Sequence, residues 1–181
     1  MKRRKLLIGN WKLNHSFRSA KEFLDNLGPL NNSIDSAIAP VSLMLDFVSQ
    51  RLPHGLKLVA QNVFYESKGA FTGEHSAEQL AELAVSYCIV GHSERRKLFN
   101  ETDEIVAKKA QSLIRAQITP VICVGESLAE RESGRASDVI EKSVKTIVDS
   151  CTSSVDQEII FAYEPLWAIG SGKSASLNDI E

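Results

Sequence analysis

Short, mostly apolar runs alternate along this chain with longer stretches whose apolar residues recur every three or four positions. The short runs are 5–9, 36–39, 57–61, 86–91, 120–125 and 158–163. Several of them, such as Tyr87-Cys88-Ile89-Val90 and Ile159-Ile160-Phe161-Ala162, show no polar alternation. A strand that is apolar on both faces is buried on both, which is the habit of parallel sheets.

The stretches between the runs carry helix signals. Ser16 can cap a helix whose apolar positions are Phe17, Ala20, Phe23, Leu24 and Leu27, stopped by Gly28-Pro29. Pro40 suits the first turn of a second helix, with Leu43, Met44, Phe47 and Val48 expected to face inward. Ser76 and Gln79 have the spacing of a capping box for a short third helix. Ile105, Val106, Ala110, Leu113 and Ile114 mark a fourth, and Val139, Ile140, Val144, Ile147 and Val148 a fifth.

A recurring βα unit builds a parallel sheet with right-handed crossovers, either an open doubly wound sheet or a barrel. A closed (β/α)8 barrel takes about 250 residues, roughly 31 per unit. The 181 residues here therefore hold about 5.8 units. Ser176 with Asp179, or Asn178 with Glu181, announces a sixth helix at the end of the sequence. The expectation is a single α/β domain over 1–181: an incomplete barrel of about six parallel strands, lacking its last two βα units.

Composition narrows the function. Hydrophobic residues make up 43% and charged residues 24%, an ordinary globular balance. The net charge of −2 speaks against nucleic acid or an anionic membrane as the main partner. The start, Met1-Lys2-Arg3-Arg4-Lys5-Leu6-Leu7-Ile8, breaks at Gly9-Asn10, short of the apolar run of about 7–15 residues that a secretory signal needs. The three cysteines form no Cys-x-x-Cys pair, and a reducing cytoplasm is expected.

All strands of a parallel sheet end on one side, and ligands bind there in both architectures. The residues that follow the apolar runs therefore share a rim: Asn10 and Lys12, Pro40, Gln61 and Asn62, His92, Glu126, and Glu164. Taken singly, Lys12 reads as solvated surface, His92 equally as a structural histidine, and Glu164 as a solvated strand end. Together, a carboxylate, an imidazole and an ammonium are what proton abstraction beside a carbonyl requires. Two phosphate-loop patterns fall away. The Gly172-Lys173-Ser174 run lacks the upstream glycine, which is Trp167 here, and the Gly170-x-Gly172 run is separated from its strand by Glu164-Pro165-Leu166-Trp167. Glu74-His75 has no convincing metal partners.

Five segments then resemble the triosephosphate isomerase family, in family order. They are Gly9-Asn10-Trp11-Lys12-Leu13-Asn14, Ala60-Gln61-Asn62, Gly69-Ala70-Phe71-Thr72-Gly73-Glu74, Val90-Gly91-His92-Ser93-Glu94-Arg95-Arg96, and Ala162-Tyr163-Glu164-Pro165 running on to Lys173. The resemblance implies interconversion of dihydroxyacetone phosphate and glyceraldehyde 3-phosphate through an enediolate, in glycolysis and gluconeogenesis, with no cofactor and no metal. It implies Glu164 as base, His92 as electrophile, Asn10, Lys12 and Gly170 as substrate contacts, and Glu94 as a supporting carboxylate. Residues 165–173 correspond to the family's lid, and the loop 69–74 to the one that inserts into a second copy, implying a homodimer. Leu13, His75 and Ser171 are departures from the common pattern. The family's phosphate-holding serine and paired glycines have no counterpart in the sequence. A noncatalytic remnant that only folds or associates is the alternative reading, and the isolated chain is expected to be poorly stable and weakly active.

Overall fold

A computed structural model of the chain describes residues 4–151, 158–169 and 175–176. Six strands, β1 (Lys5–Asn10), β2 (Ile34–Ala39), β3 (Leu56–Ala60), β4 (Tyr87–Val90), β5 (Thr119–Val124) and β6 (Ile160–Tyr163), form one sheet in chain order. Every neighbouring pair is parallel. The helices are α1 (Phe17–Asp25), α2 (Leu45–Ser49), α3 (Ala77–Glu82), α4 (Ser93–Phe99), α5 (Asp103–Arg115), α6 (Leu128–Glu132) and α7 (Ala136–Cys151).

Period-two alternation sorts the strand residues into two cores. Ala37, Ala39, Val59, Tyr87, Ile89, Val121 and Cys123 make one cluster inside the sheet, joined by Leu6 and Ile8 of β1 and Ile160 and Ala162 of β6. Because both edge strands contribute to this one cluster, the sheet is curled, an α/β half-barrel. The opposite faces pack against the helices: Leu58, Cys88, Val90, Ile122 and Val124 meet Val106, Ala110, Leu113 and Ile147. Truncating one such buried leucine, Leu113, to alanine is worth about 2–5 kcal/mol. The central strand β4 is buried at all four positions, whereas β1 alternates between exposed and half-buried. That contrast follows from pairing: among the described residues β1 and β6 each have a strand on one side only.

The capping box at Ser76 and Gln79 forms as its spacing implies, and Ser16 caps α1 together with Ser19. Elsewhere the structure departs from the pattern. The second helix is a 3₁₀ turn, Ser42–Met44, leading into the five-residue α2. With three residues per turn, Leu43 rotates off the inward face and stands 77% exposed. The short α4 and α6 lie in segments too brief for apolar periodicity. Each is fixed instead by its cap, His92 for α4 and the Ser127–Glu130 box for α6. The helix expected at the end of the sequence falls on 177–181, outside the described residues.

Candidate active site

The strand ends bring Asn10, Lys12, His92 and Glu164 to one rim. At the end of β4 the chain turns at Gly91, φ +68°, where a Cβ would stand 2.8 Å from Val106 Cγ2. Only glycine takes that corner without strain, so His92 enters α4 as its N-cap. Its Nδ1 accepts the backbone N–H of Glu94 at 3.2 Å. The hydrogen-bond network thereby places the proton of a neutral ring on Nε2. That atom lies 3.0 Å from Glu164 Oε1.

Glu164 follows β6 directly. Its backbone N–H donates to Val124 O at 2.7 Å, extending the ladder by one residue and aiming the side chain along the rim. The second carboxylate oxygen, Oε2, accepts the Ser93 N–H at 2.9 Å. Both oxygens are thus held by the first residues of the β4–α4 corner, and the side chain is 17% exposed. Cys123 packs beside this carboxylate. Burial first, and the Glu164 charge second, push its thiol up to about 12.

Lys12 stands on the opposite side of the rim. It is in the left-handed region, φ +52°, an uncommon place for a residue with a Cβ. Its N–H donates to Asn10 Oδ1 at 3.0 Å, and its Nζ to Glu94 Oε1 at 2.7 Å. The hydrogen bond from the ammonium is the main reason the Glu94 carboxyl sits below its ordinary range. Asn10, Lys12, Gln61, His92 and Glu94 line an open cleft of about 560 Å³. Chemically, His92 links this cleft, whose walls carry the Lys12 ammonium, to the Glu164 carboxylate, which touches the imidazole from outside the cleft lining.

Not every rim residue faces that opening. Glu126 is fully buried, and its Oε1 accepts Arg131 Nη1 at 3.2 Å, Tyr163 OH at 2.9 Å and Trp167 Nε1 at 2.9 Å. It anchors the start of the 165–173 segment rather than a ligand. Asn62 does line the cleft, but its Oδ1 is taken by the buried Lys109 ammonium at 2.7 Å. Gly170 lies outside the described residues. Two contributors lie inside the resembling segment 90–96 but were given no role from sequence, the Ser93 N–H and Arg96. The Arg96 guanidinium donates to Gly91 O at 2.8 Å and Cys123 O at 3.2 Å, tying the ends of β4 and β5 together. Among the described residues no group of three or more His, Cys, Asp or Glu side chains is placed to hold a metal ion.

A curled sheet of parallel strands, with an imidazole and a carboxylate in contact on its C-terminal rim, defines an α/β protein of the βα-barrel class. A family model described as triosephosphate isomerase matches residues 5–181. The chain belongs to the triosephosphate isomerase family. No helix among the described residues is long and apolar enough to cross a membrane.

Proposed function

We propose that this chain carries the proton-transfer chemistry of an aldose–ketose isomerase acting on a triose phosphate, interconverting dihydroxyacetone phosphate and glyceraldehyde 3-phosphate. Glu164 takes a proton from the carbon beside the carbonyl. The electron pair of that C–H bond moves into a C=C bond, and the carbonyl π pair moves to oxygen. The His92 Nε2–H stabilises the developing enediolate oxygen. The hydroxyl proton of the neighbouring carbon passes through His92 Nε2 to the oxygen that took up the carbonyl pair; the oxygen left bare closes to the new C=O, and the C=C pair takes the proton held by Glu164 at the adjoining carbon. Lys12 and Asn10 meet the phosphate end and Glu94 steadies the lysine; Gly170, the further substrate contact implied by the family resemblance, lies outside the described residues. The reaction needs no cofactor, because the same proton and electron pairs are redistributed within one molecule.

The observation that carries this reading is the clasp between His92 Nε2 and Glu164 Oε1 at 3.0 Å, with Nδ1 already occupied. An imidazole wired as a donor beside an acceptor carboxylate suits a carbonyl inserted between them. The expected setting is cytoplasmic glycolysis and gluconeogenesis, without nucleic acid or membrane. A homodimer is part of the proposal: the loop 69–74 would enter the cleft of a second copy, where Leu13 and Phe99 stand 93% and 62% exposed.

The test is deuterium exchange from solvent into dihydroxyacetone phosphate, which reports proton abstraction even where net turnover is weak. Exchange above the buffer rate, falling at least about 10²-fold in Glu164→Gln, is the expected result. No exchange, or exchange that ignores Glu164→Gln, overturns it. A second reading, a protein that only associates, draws on the one-sided pairing of β1 and β6, since open sheet edges invite partners. The same assay separates the two.

A further inference from the structure

Lys12 is held in a strained backbone conformation, and the side chain that holds it comes from a different strand. Gln61 follows β3, and its amide nitrogen donates to Lys12 O at 3.0 Å and to Ala39 O at 2.7 Å. Ala39 O also accepts the Trp11 N–H at 3.1 Å. Both amide hydrogens of Gln61 are thereby used, one on the end of β2 and one on the lysine. The Asn10 carbonyl oxygen Oδ1 fixes the N–H of Lys12, and Glu94 fixes its ammonium. With φ at +52°, this residue stays in place only where its surroundings over-determine it. Asn10 and Glu94 belong to the lysine's own turn and to its far end. Gln61 is the contact that ties its backbone to the sheet.

We propose that Gln61 is a positioning residue: its amide locks the Lys12 backbone in the left-handed conformation that aims the ammonium across the rim. What the ammonium binds, the phosphate of a triose phosphate, rests on the isomerase reading; the lock itself does not. A lock acting through Lys12 alters how tightly substrate is held more than how fast the bound substrate reacts.

The experiment uses the 181-residue chain with Gln61→Met, which keeps the length and removes both donors, Gln61→Glu, which keeps the planar shape, and Lys12→Met. Backbone chemical shifts and the HN–Hα coupling of Lys12 are read by NMR. The dihydroxyacetone phosphate concentration at half-maximal deuterium exchange is read in parallel. In Gln61→Met the Lys12 signals should leave their left-handed values, and the half-saturating concentration should rise by about tenfold with the limiting rate changed much less. In a Lys12→Met background the same Gln61 substitution should add nothing, since the two act as one unit. If Gln61→Met does not fold, Gln61→Glu carries the same comparison. Lys12 signals unmoved by the loss of the amide donors would overturn the proposal, as would an equal penalty with and without Lys12. If the parent chain exchanges no deuterium, the isomerase reading fails and the Lys12 signals alone decide the lock.

Discussion

Gly125 lies so close to Glu164 that a Cβ added to it would stand 1.8 Å from the Glu164 carbonyl oxygen. The backbone at the end of β5 is therefore the floor on which the proposed base rests. No side chain fits between them, and the obstacle is main chain on both sides, so neither can swing away.

Gly125→Ala should displace Glu164 and strain the β5–β6 pairing. Overpacking of this kind costs about 1–3 kcal/mol, and a backbone obstacle belongs at the upper end. Urea unfolding followed by circular dichroism measures the loss. The Glu164-dependent deuterium exchange should fall with it. An alanine variant of unchanged stability would mean that the two strand ends are farther apart in solution.

The Lys12 ammonium holds the Glu94 carboxyl below its ordinary value of 4.5, chiefly through the hydrogen bond between them. Lys12→Met should move the Glu94 titration up toward that value, read from the side-chain carboxyl carbon by NMR. The sign for stability follows from the depressed carboxyl. Its contribution is present above the unfolded pKa and fades as pH falls through the folded one. Both side chains are nearly half exposed, so solvent screening keeps the contribution small.

Trp167 contributes one of three donors to the fully buried Glu126 carboxylate. Trp167→Phe should destabilise the chain by about 1.5–3 kcal/mol, the worth of a hydrogen bond to a charged group. Glu126→Leu should cost more, because it removes the shared acceptor of the Tyr163 hydroxyl, the indole N–H and the Arg131 guanidinium at once. Thermal unfolding of the two variants gives the order, and the reverse order would contradict the arrangement.

Cys88 and Cys123 are both buried, and burial raises both thiols, Cys123 to about 12. The thiolate is the reactive form. Neither should react with iodoacetamide in the folded chain at pH 8, and both should react once urea unfolds it. Mass spectrometry of the labelled peptides distinguishes the two states. Fast labelling of Cys123 in the native chain would show that the β5 end opens locally.

Hydrophobic runs exposed the sheet because central strands such as Tyr87–Val90 are buried on both faces, and nothing but an apolar sequence survives there. The same pattern put Leu43 on the inward face and was wrong there, because its direction depends on a 3₁₀ turn that apolar spacing does not encode. It also placed Glu126 on the rim with the others. The residue follows its strand as His92 and Glu164 follow theirs, and only the three donors converging on it turn it inward. The rim residues were readable because topology, not proximity in sequence, gathers strand ends. The Ser93 N–H, which grips Glu164 from 71 positions away, is a main-chain atom and so leaves no trace in residue type.

The order of the strands across the sheet is the order in which they are made. Among the described residues each strand pairs with the one synthesised just before it. Sequence-local pairing keeps loop-closure entropy low and favours rapid formation. A nascent chain can therefore add one βα unit at a time as it leaves the ribosome. On that route β3 and β4 gain their second neighbours while translation continues, and Glu164, which follows β6, reaches His92 after the corner that will hold it has already set.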